Sequence, residues 1–279
     1  MGVNWYPGHM VKARREIENN LKLVDLVIIL LDARAPFSCR NPDIETLVKK
    51  KKIIVVLNKT DLASPEWTKI YLARLKKEGY SSVQAMDSIS GKGSREVVQA
   101  ISRAFADQEK ELIKKNRRLR PVRVMVVGVP NVGKSTFLNC LVGQKVANTG
   151  AMPGVTRGKQ WVRIRKDIEF MDTPGLMWPK IKEAEQGLKL ALLGIVGENA
   201  YNTQEVAIYL LRVLKSKHPD ALTAKYRLDD HERTEDQLLE DIARSRGYLL
   251  KGGAPDLEKS SISLLRDFRK GFIGRISLD

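Results

Sequence analysis

Two cysteines and three histidines in 279 residues leave little material for a disulfide scaffold or a zinc site. Cys39 and Cys140 are isolated, and His9, His218 and His231 offer no ligand spacing beside them, so both thiols read as reduced and structural. Long apolar runs are missing too. The longest obvious one, Leu26 to Leu31, falls far short of the ~20 residues that span a bilayer, and the basic N-terminus has no signal-peptide core. Membrane insertion and secretion are therefore not expected. There is no internal repeat and no low-complexity tract, and 43% hydrophobic residues are enough to build cores, which excludes a disordered chain. The length allows one large domain or two ordinary ones.

Acidic residues are also scarce: 33 Asp+Glu stand against 49 Lys+Arg, a net charge of +16. Residues 1–179 carry nearly all of that excess, 32 basic against 17 acidic, while residues 180–279 carry 17 against 16. Two runs concentrate it, Lys49 to Lys52 and the seven basic residues between Lys110 and Arg123. An excess of this size favours polyanions through counterion release, and nucleic acid is the expected partner class.

Apolar, β-branched runs predict strands at 24–32, 53–57, 82–86, 122–127, 161–165 and 168–171. Amphipathic spacing predicts helices at 11–23, 66–77 and 94–115 among them, the alternation of a mainly parallel sheet covered on both faces. Beyond Pro179 the strand signals stop. Helical patterns follow near 183–196, 203–216, 234–246 and 257–271, with His218-Pro219 and Gly252-Gly253 as separators. The expected architecture is an α/β domain over 1–179 and an all-helical domain over 180–279.

The chemistry is concentrated in a few motifs. Gly128-Val129-Pro130-Asn131-Val132-Gly133-Lys134-Ser135 matches the phosphate-loop pattern G-x-x-x-x-G-K-[ST], after a predicted strand and at the start of a predicted helix. Backbone N–H groups of Pro130 to Thr136, proline excepted, close around phosphate oxygens there; Lys134 neutralises the β and γ phosphates, and the Ser135 hydroxyl suits Mg²⁺. Asn58-Lys59-Thr60-Asp61 closes a strand, and a carboxylate such as Asp61 accepts two hydrogen bonds from guanine but finds no matching donors on adenine. Asp87-Ser88-Ile89-Ser90 is a candidate for the last base-binding loop. In Asp172-Thr173-Pro174-Gly175, Asp172 would hold Mg²⁺ through water and the Gly175 N–H would reach the γ-phosphate. Thr156 is the natural second hydroxyl ligand, with an ordinary loop threonine as the competing reading.

In Ras-like GTPases the phosphate loop comes first, whereas here the guanine motif precedes it. The domain is therefore read as a circularly permuted Ras-like P-loop GTPase domain. The permutation runs the DxxG element directly into the helical domain, a physical route by which γ-phosphate loss moves residues 180–279. The chain closely resembles the circularly permuted GTPases of the YlqF/RbgA family, ribosome biogenesis GTPase A. Carrying that resemblance are Trp5-Tyr6-Pro7-Gly8-His9-Met10, Asp32-Ala33-Arg34, NKTD, GVPNVGKS, PGVTRG and DTPGLMWPK, in matching order. It implies a cytoplasmic GTPase that binds a late precursor of the large ribosomal subunit, contacts its rRNA through both domains, and leaves once GTP is hydrolysed. With the family motif beginning within five residues of Met1, no transit peptide is expected, and the expected state is a monomer.

The residue after DxxG is Leu176, which can neither donate nor accept the hydrogen bonds that orient an attacking water. The resemblance points instead to His9 as the catalytic residue, alongside Lys134 and Thr156. An imidazole suits that task near neutral pH, although a histidine in a turn is equally a solvated residue or an RNA contact. Asn131 resembles the asparagine that coordinates K⁺ in related GTPases, against the alternative of a plain polar loop residue. Trp178-Pro179 reads as a packing or hinge element, Trp5 and Tyr6 as a folded anchor or an RNA-stacking pair. Arg266, Arg269, Lys270 and Arg275 are a candidate phosphate-facing group or a solvated face. Two rivals stand at this point: an RNA-binding scaffold using nucleotide only as a structural ligand, kept open by Leu176, and a GTPase acting on membranes or tRNA.

Overall fold

A computed structural model of the chain describes residues 8–116, 120–143, 161–171, 173, 175–177, 181, 183–227 and 233–279, with residues 8–10 and 13 described by backbone alone. The chain forms two compact units that divide between residues 180 and 181; Asp279 groups with the first.

The first unit is built on a sheet of β1 (Leu26–Asp32), β2 (Lys52–Asn58), β3 (Ser82–Ala85), β4 (Val122–Val127), β5 (Trp161–Arg165) and β6 (Ile168–Met171). Their spatial order is β3-β2-β1-β4-β6-β5, parallel throughout except for the β5–β6 pair. All seven residues of β1 are buried, because it lies between β2 and β4 and both sheet faces are covered. The helices of this unit are α1 (Gly8–Leu21), α2 (Pro42–Val48), α3 (Pro65–Lys76), α4 (Ser94–Lys114) and α5 (Lys134–Val142). The strands β1, β2 and β4 all run parallel, so Asp32, Asn58 and Gly128 emerge at the same edge of the sheet, where such folds place their ligands.

The second unit contains α6 (Ala184–Leu192), a 3₁₀ turn at Glu198–Ala200, α7 (Thr203–Lys217), α8 (Pro219–Tyr226), α9 (Glu235–Ser245) and α10 (Leu257–Arg269). Helix α7 buries Val206, Ala207, Leu210, Leu211, Val213 and Leu214, and α10 buries Leu264, Leu265 and Phe268. Thr234 and Gln237 form a reciprocal cap at the start of α9. No helix among the described residues is long and apolar enough to cross a membrane.

Three strands match the expected limits and β1, β2 and β3 differ from theirs by one or two residues at an end; the larger differences lie in the helices. Helix α1 starts at Gly8, not residue 11, and α6 ends at Leu192, where Gly194 takes φ +69° and Ile195 N–H closes back on the Leu190 carbonyl. Helices α2 and α8 were not expected; each has proline at its first position, where the missing N–H costs nothing. The basic group on α10 also divides. Arg269 donates from Nε to the Leu192 carbonyl and from one terminal nitrogen to the Ala191 carbonyl and the Tyr201 hydroxyl, so it closes the end of α6 rather than facing phosphate. Trp5, Tyr6, Trp178 and Pro179 lie outside the described residues.

Candidate functional site: a guanine-nucleotide cradle

The buried strand β4 delivers the chain into the turn 128–133, and α5 starts at Lys134. Two glycines are required by contact. A side chain on Gly128 would stand 2.6 Å from the Leu30 carbonyl oxygen, and one on Gly133, at φ +100°, 2.6 Å from Asn58 Nδ2. Asn131 also takes a left-handed φ of +57°, and Pro130 and Val132 are buried. Lys134 is 8% exposed, and its ammonium donates to the Gly128 and Val129 carbonyls at 3.3 and 3.1 Å. Ser135 and Thr136 occupy the first turn of α5, where unpaired N–H groups and the helix dipole favour an anion.

The loop after β2 clasps this turn. Asn58 Nδ2 donates to the Val132 carbonyl at 3.0 Å, while its Oδ1 accepts from the Ser88 hydroxyl at 2.7 Å. Lys59, at φ +60°, donates to the Asn131 carbonyl at 2.7 Å and pairs with Asp32 at 3.1 Å. Thr60 N–H lies 3.4 Å from the Met86 carbonyl, which ties the loop after β2 to the loop after β3. The phosphate loop and both base-side loops are thus one hydrogen-bonded body.

Asp61 Oδ1 is buried and accepts no hydrogen bond. Burial and the neighbouring Asp87 carboxylate push its pKa above the ordinary value. Asp87 behaves oppositely: burial alone would raise it, but the Ser90 hydroxyl and the Ile89 and Ser90 N–H groups hold it below the usual carboxylate value. Asp87 is therefore satisfied by its own loop, while Asp61 keeps one buried oxygen that accepts no hydrogen bond. A base carrying two adjacent N–H donors would complete the hydrogen bonding of Asp61.

Sequence reasoning gave no role to two residues beside this cradle. Asp32 is 0% exposed and accepts from Arg34 N–H, Nε and a terminal nitrogen at 3.1, 2.9 and 2.8 Å. Burial opposes its ionisation, but Arg34 and Lys59 outweigh it and hold the carboxyl far below the ordinary range. Asp32 is thereby the fixed anion that orients Lys59. The second residue is Asn41, which reaches the DxxG segment; the Asn-Pro pair that opens α2 was its signal.

In that segment Thr173 is buried and donates to the Val126 carbonyl. Gly175 lies against the phosphate loop: a Cβ on it would meet Pro130 backbone at 2.8 Å and Lys134 Nζ at 3.1 Å. Leu176 is 1% exposed, and its N–H lies 3.3 Å from the Gly128 carbonyl. Asp172 and Thr156 lie outside the described residues. His9 falls within α1, and its side chain lies outside them too.

A family model described as a 50S ribosome-binding GTPase matches residues 123–243, beginning within β4. The chain is 38% identical over 279 residues to ribosome biogenesis GTPase A of Bacillus cereus, covering 100% of this chain and 94% of the relative. It is 33% identical over 299 residues to mitochondrial ribosome-associated GTPase 1 of Mus musculus, covering 99% and 89%. The crystal structure of GNP-bound YlqF from T. maritima superposes with a TM-score of 0.68 at 28% identity, over 96% of this chain and 97% of that one. The permuted sheet, the clasped phosphate loop and full-length relatedness lead to one conclusion: the chain belongs to the ribosome biogenesis GTPase A family.

Proposed function

We propose that this GTPase of ribosome biogenesis hydrolyses GTP to GDP and phosphate during late assembly of the large ribosomal subunit, in the cytoplasm, with turnover stimulated by the particle. The observation that carries the nucleotide reading is the buried Asp61 Oδ1 without a donor, beside a phosphate loop fastened by Asn58 and Lys59. Asn58, Lys59, Thr60, Asp61, Asp87 and Ser88 hold the guanine end. Pro130 to Thr136 and Gly175 hold the phosphates.

Lys134 leaves the two carbonyls it now bridges and takes the β and γ phosphates, an exchange of neutral acceptors for anionic ones. Ser135, Thr156 and Asp172 would hold Mg²⁺, a donor set of two hydroxyls and a carboxylate that suits a hard cation, and the ion would neutralise charge on the transferred group. Asn131 is assigned to K⁺. Leu176 is committed by its backbone and buried in its side chain, so water must be oriented by another group. His9 is assigned that step. The monomeric chain contacts precursor rRNA through its basic first unit and through residues 180–279, a helical ribosome-contacting domain.

Replacing Lys134 with Ala tests the assignment: nucleotide binding or turnover is lost, and normal GTP turnover by that variant would overturn it.

A further inference from the structure

We propose that Asn41 is a positioning residue for GTP hydrolysis, the nucleotide-independent anchor of the DxxG segment; the proposal rests on the GTPase reading of the site.

Asn41 is 3% exposed and uses both ends of its carboxamide. Oδ1 accepts from Asp43 and Ile44 N–H at 3.0 and 3.4 Å and so caps α2, while Nδ2 donates to the Leu176 carbonyl at 2.8 Å. The amide orientation is fixed by this arrangement, because a flipped group would set its NH₂ against two donors and its oxygen against a carbonyl. The platform beneath it is stiff. Pro42 fixes the first helical φ, Ile44 and Val48 are buried, and Glu45 pairs with Arg40, which also holds Glu78.

Leu176 is gripped on its other side by the Gly128 carbonyl, at 3.3 Å from its N–H. That carbonyl also accepts from Lys134 Nζ, the group that phosphate recruits. The two grips on the segment therefore differ in kind. The Gly128 contact belongs to the loop that answers to nucleotide, and the Asn41 contact belongs to a capped helix that touches no phosphate. Gly175, whose N–H would reach the γ-phosphate, sits immediately before the doubly held residue. Asn41 thus sets where that N–H lies and keeps the Leu176 side chain turned into the core, away from the water's position.

Asn41→Asp separates this role from the cap. The variant keeps an acceptor for α2, at which Asp caps as well as Asn, and removes the donor to Leu176. Asn41→Ser, also a capping residue but too short to reach Leu176, is the second variant should the buried carboxylate prevent folding. The readouts are the affinities for fluorescent GDP and for a non-hydrolysable GTP analogue, the single-turnover hydrolysis rate, and the melting temperature. Loss of one hydrogen bond predicts that affinity for the triphosphate and the hydrolysis rate each fall roughly tenfold, with GDP affinity within about twofold of wild type and melting lowered by a few degrees. A folded variant that keeps the wild-type triphosphate-to-diphosphate ratio and rate overturns the proposal. Wild-type protein that binds nucleotide without hydrolysing it contradicts the GTPase reading instead, and the affinity ratio still reads Asn41.

Discussion

Asn58 donates to the Val132 carbonyl at 3.0 Å, and the same nitrogen is the atom that any side chain at Gly133 would strike, at 2.6 Å. The base-recognition loop and the phosphate loop are therefore fitted to one another through a position where only glycine is tolerated. Asn58 cannot retreat freely, because its Oδ1 also accepts from Ser88. Gly133→Ala is expected to break this clasp and to lower affinity for GDP and GTP alike, by roughly 100-fold. Each of the two lost hydrogen bonds and the strain at φ +100° contributes on the order of 1 kcal/mol. Fluorescent nucleotide titration measures it.

Asp61 carries a trade between binding and stability. Its pKa in the folded, nucleotide-free protein lies above the unfolded value of 3.8, because burial and Asp87 disfavour the charge. The cost is absent at pH values below 3.8, grows as pH rises from there, and is full above the raised value. Asp61→Asn should therefore melt higher than wild type at pH 7 without nucleotide, with the gain vanishing in acid. The same variant should lose GTP affinity by roughly 100-fold and prefer a xanthine nucleotide, whose C2 carbonyl accepts from the new amide. Thermal melts across pH and competition between xanthosine and guanosine triphosphates check both halves.

Removing Asp32 strands a buried guanidinium. Asp32→Ala is expected to destabilise the first unit by about 3–5 kcal/mol, since Arg34 is 2% exposed. Replacing both, Asp32→Leu with Arg34→Met, should restore much of that stability. Lys59 loses its counter-ion either way, so nucleotide affinity should stay low in the refolded double variant. Urea unfolding and nucleotide titration separate the two effects.

Arg269 was grouped by sequence with a phosphate-facing set, and its hydrogen bonds assign it to the end of α6. Arg269→Lys keeps the charge but not the planar fork that reaches the Leu192 and Ala191 carbonyls and Tyr201 together. The variant should destabilise the helical unit by about 2 kcal/mol while leaving RNA affinity unchanged, read by circular dichroism melts and filter binding.

Most of the sheet was legible because its strands carry uninterrupted apolar, β-branched runs; β4, β5 and β6 fall at their expected limits. Helix ends were less so. Local spacing sees a stripe of apolar residues but not the Gly194 turn that ends α6. Helix α8 was hidden by Pro219, read as a separator, and the seven-residue α2 by its shortness, although a capping Asn41 before Pro42 and acidic residues in the first turn are start signals. The phosphate loop and the guanine motif were visible as linear patterns. Asp32 and Asn41 were not, because their importance lies in contacts with Lys59 and Leu176, 27 and 135 positions away.

The proposed role makes this GTPase a timer driven by the ribosomal particle. Its most direct test is GTP turnover by the purified protein in K⁺ buffer, with and without large ribosomal subunits, beside a Lys134→Ala control. Slow turnover alone and strong stimulation by the subunits, absent in the control, are the expected results. Tight GTP binding with turnover unchanged by the subunits would contradict it.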